Sequence, residues 1–560
     1  NSRRAVESLE HSLSLYSAMN ENARISIVLM ETGMVHHTVG DIDSARTSYQ
    51  RALRIKQADG DIFYQADILN NLAVLYHQIG EYELASETFE AGLACARKSR
   101  NRRAESLILA GLGDLYGEVE IFDAALHAYR EAEVVAGELP GLYIVNYLII
   151  AKGNLALAQG DLEKASQFIE EFQEQVKKSQ SAYERGLWAL LEGRYYLLKN
   201  EPQKAIVNLK ECKEFFIQDG RDLESQWSMV WLTAAHDCAG DRENARTEIR
   251  EILSLNTAPD HALLTAIRQA GPWLKTLQTD PLVGRQLSSL IEKAQRLNAK
   301  MPFIRRTLRR HASFIQVPSA GLVIRAFGNP EVSINGQAIT LSEWRTQSVR
   351  DLFFYFLYRQ EAVTKEQIGA AFWPEIGDVN ALKKRFKNDI YRLRRAVGRD
   401  TIVFDDEYYR FNREMDYEYD VEAFDSHVLR AHKTTEPAAR IEHLQKAVDL
   451  VHGPYLADVD AEWTVTERER LRQGYAAALE ELAYLYLDAN KLERCLSVCQ
   501  LALQQDRFHE AIYQIEMRAY SAMGDRSAVA RRYQACRAAM EELSIPPSEE
   551  TERIYRQLAG

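Results

Sequence analysis

A repeat with a period of forty residues runs through the first half of the chain. Its most constant position is an alanine, found at Ala45, Ala85, Ala125, Ala165, Ala205 and Ala245. In four units the pair Gly-Asp or Gly-Glu begins five residues earlier, and Glu120 and Asn200 stand at the glycine position of the other two. A fixed period marks an architecture in which each unit buries its apolar face against its neighbours. The chain is therefore expected to begin as a solenoid.

The third unit carries the clearest residues, with Leu112, Gly113 and Tyr116 followed by Ala125 and Tyr129. Their spacing resembles the tetratricopeptide repeat (TPR), whose two antiparallel helices carry Leu-Gly-x2-Tyr and Ala-x3-Phe. Because the period exceeds the usual ~34 residues, longer helices are expected. We expect a TPR-like solenoid over residues 1–300, capped by residues 255–300. A basic linker is predicted over residues 301–320.

The hydrophobic pattern changes from helical to alternating at Leu322. Short strands are predicted at 322–327, 331–334 and 338–341, and Asn335-Gly336 is a strong signal for a two-residue hairpin. Helices are predicted at about 346–358, from Thr364, and at about 379–397, followed by a hairpin around 405–407. This order predicts a winged helix over residues 321–413, with a small N-terminal sheet and a C-terminal hairpin.

Residues 322–411 resemble the DNA-binding domain of the Streptomyces antibiotic regulatory protein type, which is itself similar to the OmpR winged helix. The matching residues are Gly328, Val332, Gly336, Trp344, Phe372, Trp373, Pro374 and Arg392 to Arg395. The resemblance implies that this part of the chain binds double-stranded DNA.

The charge pattern points independently to the third helix of this domain. The whole chain has a net charge of −12, but residues 300–413 hold 20 Lys and Arg against 12 Asp and Glu, so this segment is +8 and the remainder is −20. Residues 379–399 alone hold eight basic residues against Asp389. An apolar stripe with a basic opposite face is the pattern of a helix that enters the major groove.

We expect Lys384, Asn388, Tyr391 and Arg395 to lie opposite the apolar stripe, with Asn388 suited to adenine and Arg395 to guanine. The full set of predicted DNA-binding residues is Lys384, Arg385, Lys387, Asn388, Tyr391, Arg392, Arg394, Arg395, Arg345, Arg350, Tyr409 and Arg410. Which of these residues read bases and which hold phosphates stays open.

A second helical domain is predicted over residues 414–560. Tyr419-Asp420-Val421, Gly453-Pro454-Tyr455, Trp463 and the segment 545–548 resemble the bacterial transcriptional activator domain, which is TPR-like. The resemblance implies self-association, so a homo-oligomer, or contact with RNA polymerase. The fold class is thus mostly α: a TPR-type solenoid, a winged helix and a TPR-like helical domain.

No motif for catalysis or cofactor binding is found in the sequence. It has no Gly-x4-Gly-Lys-Ser/Thr loop, no His-Glu-x2-His and no Cys-x2-Cys, so we expect no enzyme, no cofactor and no metal in this chain. Ala5 continues the lattice backwards, so the chain is expected to begin within a repeat of a longer protein. Its array resembles the sensor of MalT-like ATPases, which implies that ATP would bind in an upstream module.

The sequence therefore predicts a DNA-binding transcriptional activator of the cytoplasm, with no membrane span. A small-molecule or protein inducer is expected at the concave face of the TPR solenoid. The alternative is a TPR scaffold whose winged helix contacts proteins rather than DNA.

Overall fold

The computed structural model describes residues 2–138, 144–178, 181–255, 261–434 and 436–559. It divides into two compact units, Asn1–Pro318 and Ser319–Gly560. The first unit is helical throughout its described residues. The second holds small sheets followed by helices, so the prediction of a mostly α fold with a small β region is confirmed.

The first unit contains fifteen helices in its described residues. They are α1 (Ser2–Ala18), α2 (Asn22–Thr38), α3 (Ile42–Ala58), α4 (Ile62–Gln78), α5 (Tyr82–Ser99), α6 (Arg102–Glu118), α7 (Phe122–Gly137), α8 (Ile144–Ala158), α9 (Leu162–Lys178), α10 (Ala182–Leu198), α11 (Pro202–Asp219), α12 (Asp222–Cys238), α13 (Arg242–Leu255), α14 (His261–Ala270) and α15 (Gly284–His311). Short 3-10 turns at Gly271–Trp273 and Leu277–Thr279 join α14 to α15.

The forty-residue period consists of two steps of twenty. From α2 to α7, and again from α9 to α13, each helix begins twenty residues after the one before it. A residue with positive φ ends each step, at Asn20, Gly40, Gly60, Gly80, Arg100, Glu120, Gly160, Asn200, Gly220 and Gly240. The chain turns through a left-handed conformation there, which glycine adopts without steric cost.

The acidic residue after the glycine has its own role, because it caps the next helix. The carboxylates of Asp41, Asp61 and Asp161 accept the backbone N–H three residues further on, and Asn101 does the same with its amide oxygen. Such a cap satisfies one of the N–H groups that a helix start leaves without a partner. The Gly-Asp pair is therefore a turn and a cap.

The lattice alanines and the small residues facing them explain how the helices pack. All six alanines are fully buried. A Cβ on Gly113 would lie 2.3 Å from the ring of Tyr129, and one on Gly33 would lie 2.6 Å from the ring of Tyr49. The first helix of each of these units thus leaves room for an aromatic ring of the second.

The end of the first unit folds back onto earlier repeats. Residues near the start of α15, such as Leu287, pack with the core of α10 to α13, whereas Met301 and Leu308 belong to the core of the repeats from α2 to α8. Arg305 donates to the carbonyl of Val119 over 2.6 Å. The predicted linker 301–320 is therefore helical as far as His311, because its apolar residues are buried in the solenoid. Residues 256–260 of the predicted cap lie outside the described residues.

A buried carboxylate joins this returning segment to α6. Glu118 accepts hydrogen bonds from Tyr82 over 2.6 Å, from His77 over 2.8 Å and from Thr265 over 2.9 Å, and His261 lies 3.3 Å away. Burial opposes its charge, but the bonds from His261 and His77 outweigh burial and hold the pKa of Glu118 well below its ordinary value. This ionised carboxylate ties α14 to α4, α5 and α6.

The second unit has seven strands and eleven helices in its described residues. The strands are β1 (Leu322–Arg325), β2 (Glu331–Ile334), β3 (Gln337–Ala338), β4 (Val363–Thr364), β5 (Ile402–Asp405), β6 (Tyr408–Phe411) and β7 (Tyr417–Tyr419). The helices are α16 (Leu341–Trp344), α17 (Gln347–Tyr358), α18 (Lys365–Phe372), α19 (Val379–Val397), α20 (Asp420–Lys433), α21 (Pro437–Leu450), α22 (Glu462–Asp488), α23 (Leu492–Gln505), α24 (Glu510–Ala522), α25 (Arg526–Glu542) and α26 (Glu549–Ala559).

The strands form two sheets around the helices α17, α18 and α19. The first sheet has the order β3-β2-β1-β7, in which β1 and β7 are parallel and the other pairs antiparallel. The second has the order β4-β6-β5 and is antiparallel. The hairpin predicted at Asn335-Gly336 is confirmed, with φ of +51° and +79°. The helix predicted from Thr364 begins with a capping box formed by Thr364 and Gln367.

The winged helix extends beyond its predicted end at residue 413. Strand β7, which the sequence analysis placed in the C-terminal domain, completes the first sheet by pairing with β1. Tyr417 and Tyr419 of this strand are buried. Three residues are too few to show an alternating pattern, so β7 could not be predicted from the sequence.

Candidate nucleic-acid interface

Helix α19 is held by a cap at its start and an apolar stripe along one side. The carboxylate of Asp378 accepts the backbone N–H of Ala381 over 2.7 Å. Phe386, Ile390 and Leu393 are buried in the core of the second unit, as the three- and four-residue spacing predicts. The stripe fixes which face of the helix points away from the core.

The outward face of α19 is basic. Its exposed residues are Lys383, Lys384, Lys387, Asn388, Tyr391 and Arg395. Tyr391 is 65% exposed, which is unusual for a large aromatic side chain. No described carboxylate lies within ion-pair distance of the three lysines or of Arg395. This face therefore offers four uncompensated cations, an amide and an aromatic ring along one helix.

Two further arginines flank this face and are held by a buried acid. The side chain of Asp389 is 1% exposed; its Oδ2 lies 2.9 Å from Arg385 Nε and its Oδ1 3.3 Å from Arg392 Nη1. The guanidinium of Arg385 also lies over the ring of Trp373, 5.7 Å from its centroid. Both arginines remain about 40% exposed, so Asp389 orients them without removing them from solvent.

The hairpin of β5 and β6 is anchored against the same helix. Tyr409 lies between Phe386, at 4.8 Å between ring centroids, and Phe404, at 4.6 Å. Arg394 donates to the carbonyl of Ile402 over 2.8 Å. Tyr409 and Arg394 thus position the hairpin, whereas Arg410 is exposed.

The two arginines predicted upstream of α19 have different surroundings. Arg345 is exposed at the end of α16, with a φ of +69°. Arg350 is only 13% exposed: it bonds Asp458 through both terminal nitrogens, at 2.9 and 3.2 Å, and lies 3.0 Å from Asp351. Its guanidinium is therefore engaged within the protein, and we remove Arg350 from the predicted interface.

Sequence reasoning missed two features of this site. Lys383 was counted in the charge of the helix but left out of the predicted contacts, although it lies on the exposed face. Asp389 was treated only as a subtracted charge, although it holds two of the predicted arginines. Its position among the residues of the apolar stripe is a signal that the sequence does contain.

The winged helix is continuous with the helices that follow it. The ring of Trp463 on α22 lies 5.4 Å from that of Tyr355 and 5.5 Å from that of Tyr358 on α17. Asp420, at the start of α20, accepts the backbone N–H groups of Ala326 and Phe327 over 2.8 to 2.9 Å. One apolar core therefore runs from β1 to α24.

Comparison with known families assigns both ends of the chain. Residues 1–214 match the MalT-like TPR region, and residues 419–559 match the bacterial transcriptional activator domain. The chain is a regulator with a MalT-like TPR region and a bacterial transcriptional activator domain. Both of these families are regulatory rather than enzymatic. The transcriptional activator domain begins at the last residue of β7, directly after the winged helix.

Comparisons with whole proteins add only distant likenesses. No curated protein matches the chain. Mycobacterium tuberculosis EmbR, in complex with a low-affinity phosphopeptide, is similar at 16% identity and a TM-score of 0.37, over 43% of this chain and 65% of that one. BtubC from P. vanneervenii is similar at 16% identity and a TM-score of 0.27, over 47% of this chain and 94% of that one. A tetratricopeptide repeat protein from Parabacteroides merdae is similar at 16% identity and a TM-score of 0.30, over 51% of this chain and 97% of that one.

The described residues contain neither a membrane-spanning helix nor a metal site. No helix among them is both long enough and apolar enough to cross a membrane. No group of three or more His, Cys, Asp or Glu side chains in the same residues is arranged to hold a metal ion.

Proposed function

We propose that this regulator binds double-stranded DNA through α19 and activates transcription. The supporting observation is the outward face of α19, where four cations without carboxylate partners surround Asn388 and Tyr391. Phosphates attract such a face, and a single helix fits the major groove. The transcriptional activator domain that follows supports the second half of the proposal.

The residues of the interface divide by their surroundings. The lysines of α19 are flexible point charges suited to phosphates, whereas Asn388 and Arg395 have the hydrogen-bonding groups that read adenine and guanine. The guanidinium groups of Arg385 and Arg392 are oriented in advance by Asp389, which lowers the entropy lost when they bind phosphate. Arg410 of the hairpin and Arg345 would extend the contact along the backbone.

We assign complementary roles to the remaining parts of the chain. The helices from α20 to α26 contact RNA polymerase or a second copy of the regulator, as the activator family suggests. The TPR solenoid receives an inducer, and the chain acts in the cytoplasm. No disulfide joins any of its six cysteines, all of which lie in the described part of the chain, as suits a reducing compartment.

Selection from a random duplex pool, followed by fluorescence anisotropy, tests the DNA-binding proposal. A triple variant, Lys383→Gln, Lys384→Gln and Lys387→Gln, removes three cations from α19. The slope of log K against log salt should fall by up to about 2.7, because each lost phosphate contact contributes about 0.9. Circular dichroism should show an unchanged helix content, since these lysines form no hydrogen bond or ion pair with another side chain of the described structure.

The matched control removes three cations elsewhere in the second unit, through Lys433→Gln, Lys491→Gln and Arg494→Gln. Its slope should equal that of the original chain. If the pool yields no enriched sequence, or if both triple variants change the slope equally, the proposal is wrong. The alternative of a winged helix that contacts proteins would then be favoured.

A further inference from the structure

A cavity of about 840 Å³ lies within the first unit, between the repeats and the returning segment. The ends of α6 and α8, together with residues of α10 and α12, form one wall. Helices α14 and α15 and the 3-10 turn Gly271–Trp273 form the other. This volume falls within the ~300–1,000 Å³ that is typical of small-molecule sites.

One wall of the cavity carries a partly buried arginine that lacks an acidic partner. Nη1 of Arg194 donates to Asn154 Oδ1 over 2.7 Å, and its guanidinium lies 4.8 Å from the ring centroid of Trp231. Its Nε is buried without an acceptor. Among the described residues, no carboxylate lies within ion-pair distance of this guanidinium. Burial lowers the pKa of Arg194 to about 10, as expected for a cation that nothing neutralises.

The repeat lattice shows that this cation is specific to one unit. Arg194 stands forty residues after Asn154 and eighty after Asp114, so the three occupy the same position in successive units. Asp114 is satisfied by the hydroxyls of Tyr129 and Tyr147, at 2.7 and 2.6 Å. The packing of the repeats therefore does not require a positive charge at this position.

The acids that line the cavity already have partners. Glu118 accepts hydrogen bonds from Tyr82, His77 and Thr265, and Glu120 pairs with Arg268 at 3.0 Å and with Arg305. The cavity also contains Lys275, an exposed cation for which no described carboxylate is a partner. Arg194 and Lys275, the two cations without carboxylate partners, therefore make the cavity electrostatically positive.

Two aromatic rings lie beside the guanidinium of Arg194. Trp231 and Trp273 have their ring centroids 6.0 Å apart, with an angle of 57° between their planes. Trp231 belongs to a repeat and Trp273 to the returning segment, so the two halves of the cavity meet at this pair. Trp231 is only 4% exposed, whereas Trp273 is partly exposed. A flat apolar group in the cavity would therefore contact the indole of Trp273 and leave its charged end near Arg194.

We infer that this cavity binds a small organic anion, with its oxyacid group on Arg194 and its flat apolar part against Trp273. The guanidinium has five N–H donors and a bidentate geometry that suits carboxylate and phosphate oxygens. A cation that is partly withdrawn from water and has no acidic partner costs the fold free energy, and a bound anion reduces that cost. The inference deepens the sensor part of the proposed function by giving a ligand class, and it does not rest on DNA binding.

A pair of fluorescent probes that differ in one charged group tests this inference on the full chain. The anion is 8-anilino-1-naphthalenesulfonate, and its neutral analogue is N-phenyl-1-naphthylamine, which lacks the sulfonate. Binding is measured by energy transfer from tryptophan to each probe. The variant Arg194→Met should weaken the sulfonate about 10- to 100-fold, as expected for a lost charged hydrogen bond, and leave the neutral probe within about twofold.

Arg185→Met is the matched control. Arg185 lies on the same helix, α10, and its guanidinium is also placed over a ring, that of Phe215 at 4.7 Å, but it does not line the cavity. Its substitution should leave both probes unaffected. Equal loss of the two probes in Arg194→Met, or equal loss of the sulfonate in both variants, would overturn the inference.

A displacement experiment on the original chain covers the case in which Arg194→Met does not fold. Benzoate and phenyl phosphate carry the same ring on different anions, and benzyl alcohol is their neutral counterpart. At least one of the two anions should displace the bound sulfonate while benzyl alcohol does not, and the stronger anion identifies the headgroup. Displacement by all three alike, or by none, contradicts the inference. Because no DNA is present, either result leaves the DNA-binding proposal intact.

Discussion

The salt dependence of DNA binding can distinguish, residue by residue, exposed cations that contact phosphate from cations already paired within the protein. Lys384 and Arg350 were both predicted from the sequence to contact DNA. The structure exposes Lys384 on the outward face of α19 and pairs Arg350 with Asp458 and Asp351. Lys384→Gln and Arg350→Gln each remove one positive charge, so they change the net charge of the protein equally.

The expected magnitude follows from counterion release. If Lys384 holds one phosphate, its loss reduces the slope of log K against log salt by about 0.9. Taking equal affinities at about 1 M salt as the reference, the same loss weakens binding about eightfold at 0.1 M. This corresponds to about 1.2 kcal/mol, at 1.36 kcal/mol per factor of ten. For Arg350→Gln the slope should not change, because that guanidinium is only 13% exposed and already bound to carboxylates.

Fluorescence anisotropy with one selected duplex, titrated at four or more salt concentrations, measures both slopes. Thermal unfolding provides the second readout, since Arg350→Gln should destabilise the second unit and Lys384→Gln should not. The reasoning is refuted if Lys384→Gln leaves the slope unchanged, or if Arg350→Gln lowers it as much as Lys384→Gln does.

Three further predictions concern stability. Gly113→Ala should lower the free energy of unfolding, measured in urea, by about 1–3 kcal/mol, because the new Cβ would lie 2.3 Å from the ring of Tyr129. Gly137→Ala is the control. Its Cβ would meet nothing within 4 Å, so this variant should not destabilise the protein. Glu118→Gln should lower the thermal midpoint of the TPR region, as expected when a buried ion pair loses one charge. Burial raises the pKa of Asp420 to about 6, so between about pH 4 and 6 the folded state keeps a proton that the unfolded state loses. The contribution of Asp420 to the unfolding free energy should fall by about 3 kcal/mol as pH rises from about 3 to 7, and Asp420→Asn should remove that contribution.

The solenoid could be predicted from the sequence because its contacts are local. Each lattice alanine is buried against its own unit and the next, so the repeat appears directly as a sequence period. The twenty-residue half-period could not be predicted, because what repeats at that spacing is a positive φ and not a residue type. Arg100 adopts the positive φ that Gly60 and Gly220 adopt at equivalent turns, and nothing in its side chain indicates this.

The sequence allowed a prediction only of the part of the interface that lies on α19. The stripe of α19 assigned an outward face to Lys384, Asn388, Tyr391 and Arg395, and all four are exposed. The pairing of Arg350 could not be predicted, because its partner, Asp458, stands 108 residues further along the chain. No local pattern reveals a pair of that separation.

The junction between the winged helix and the activator domain determines how α19 is presented. The loop at Gly328 approaches the chain at Gly453 so closely that a Cβ on Gly453 would lie 3.0 Å from the Cα of Gly328. Arg468 on α22 donates to three carbonyls of the segment 455–459, at 2.9 to 3.0 Å. With the Trp463 ring cluster and the Arg350 pair, these contacts join the helices packed against α19 to the activator domain through buried surface. Because interfaces of this kind resist continuous deformation, α19 and the activator domain should move as one body. If α19 binds DNA as proposed, the activator helices should take a fixed position relative to the DNA site.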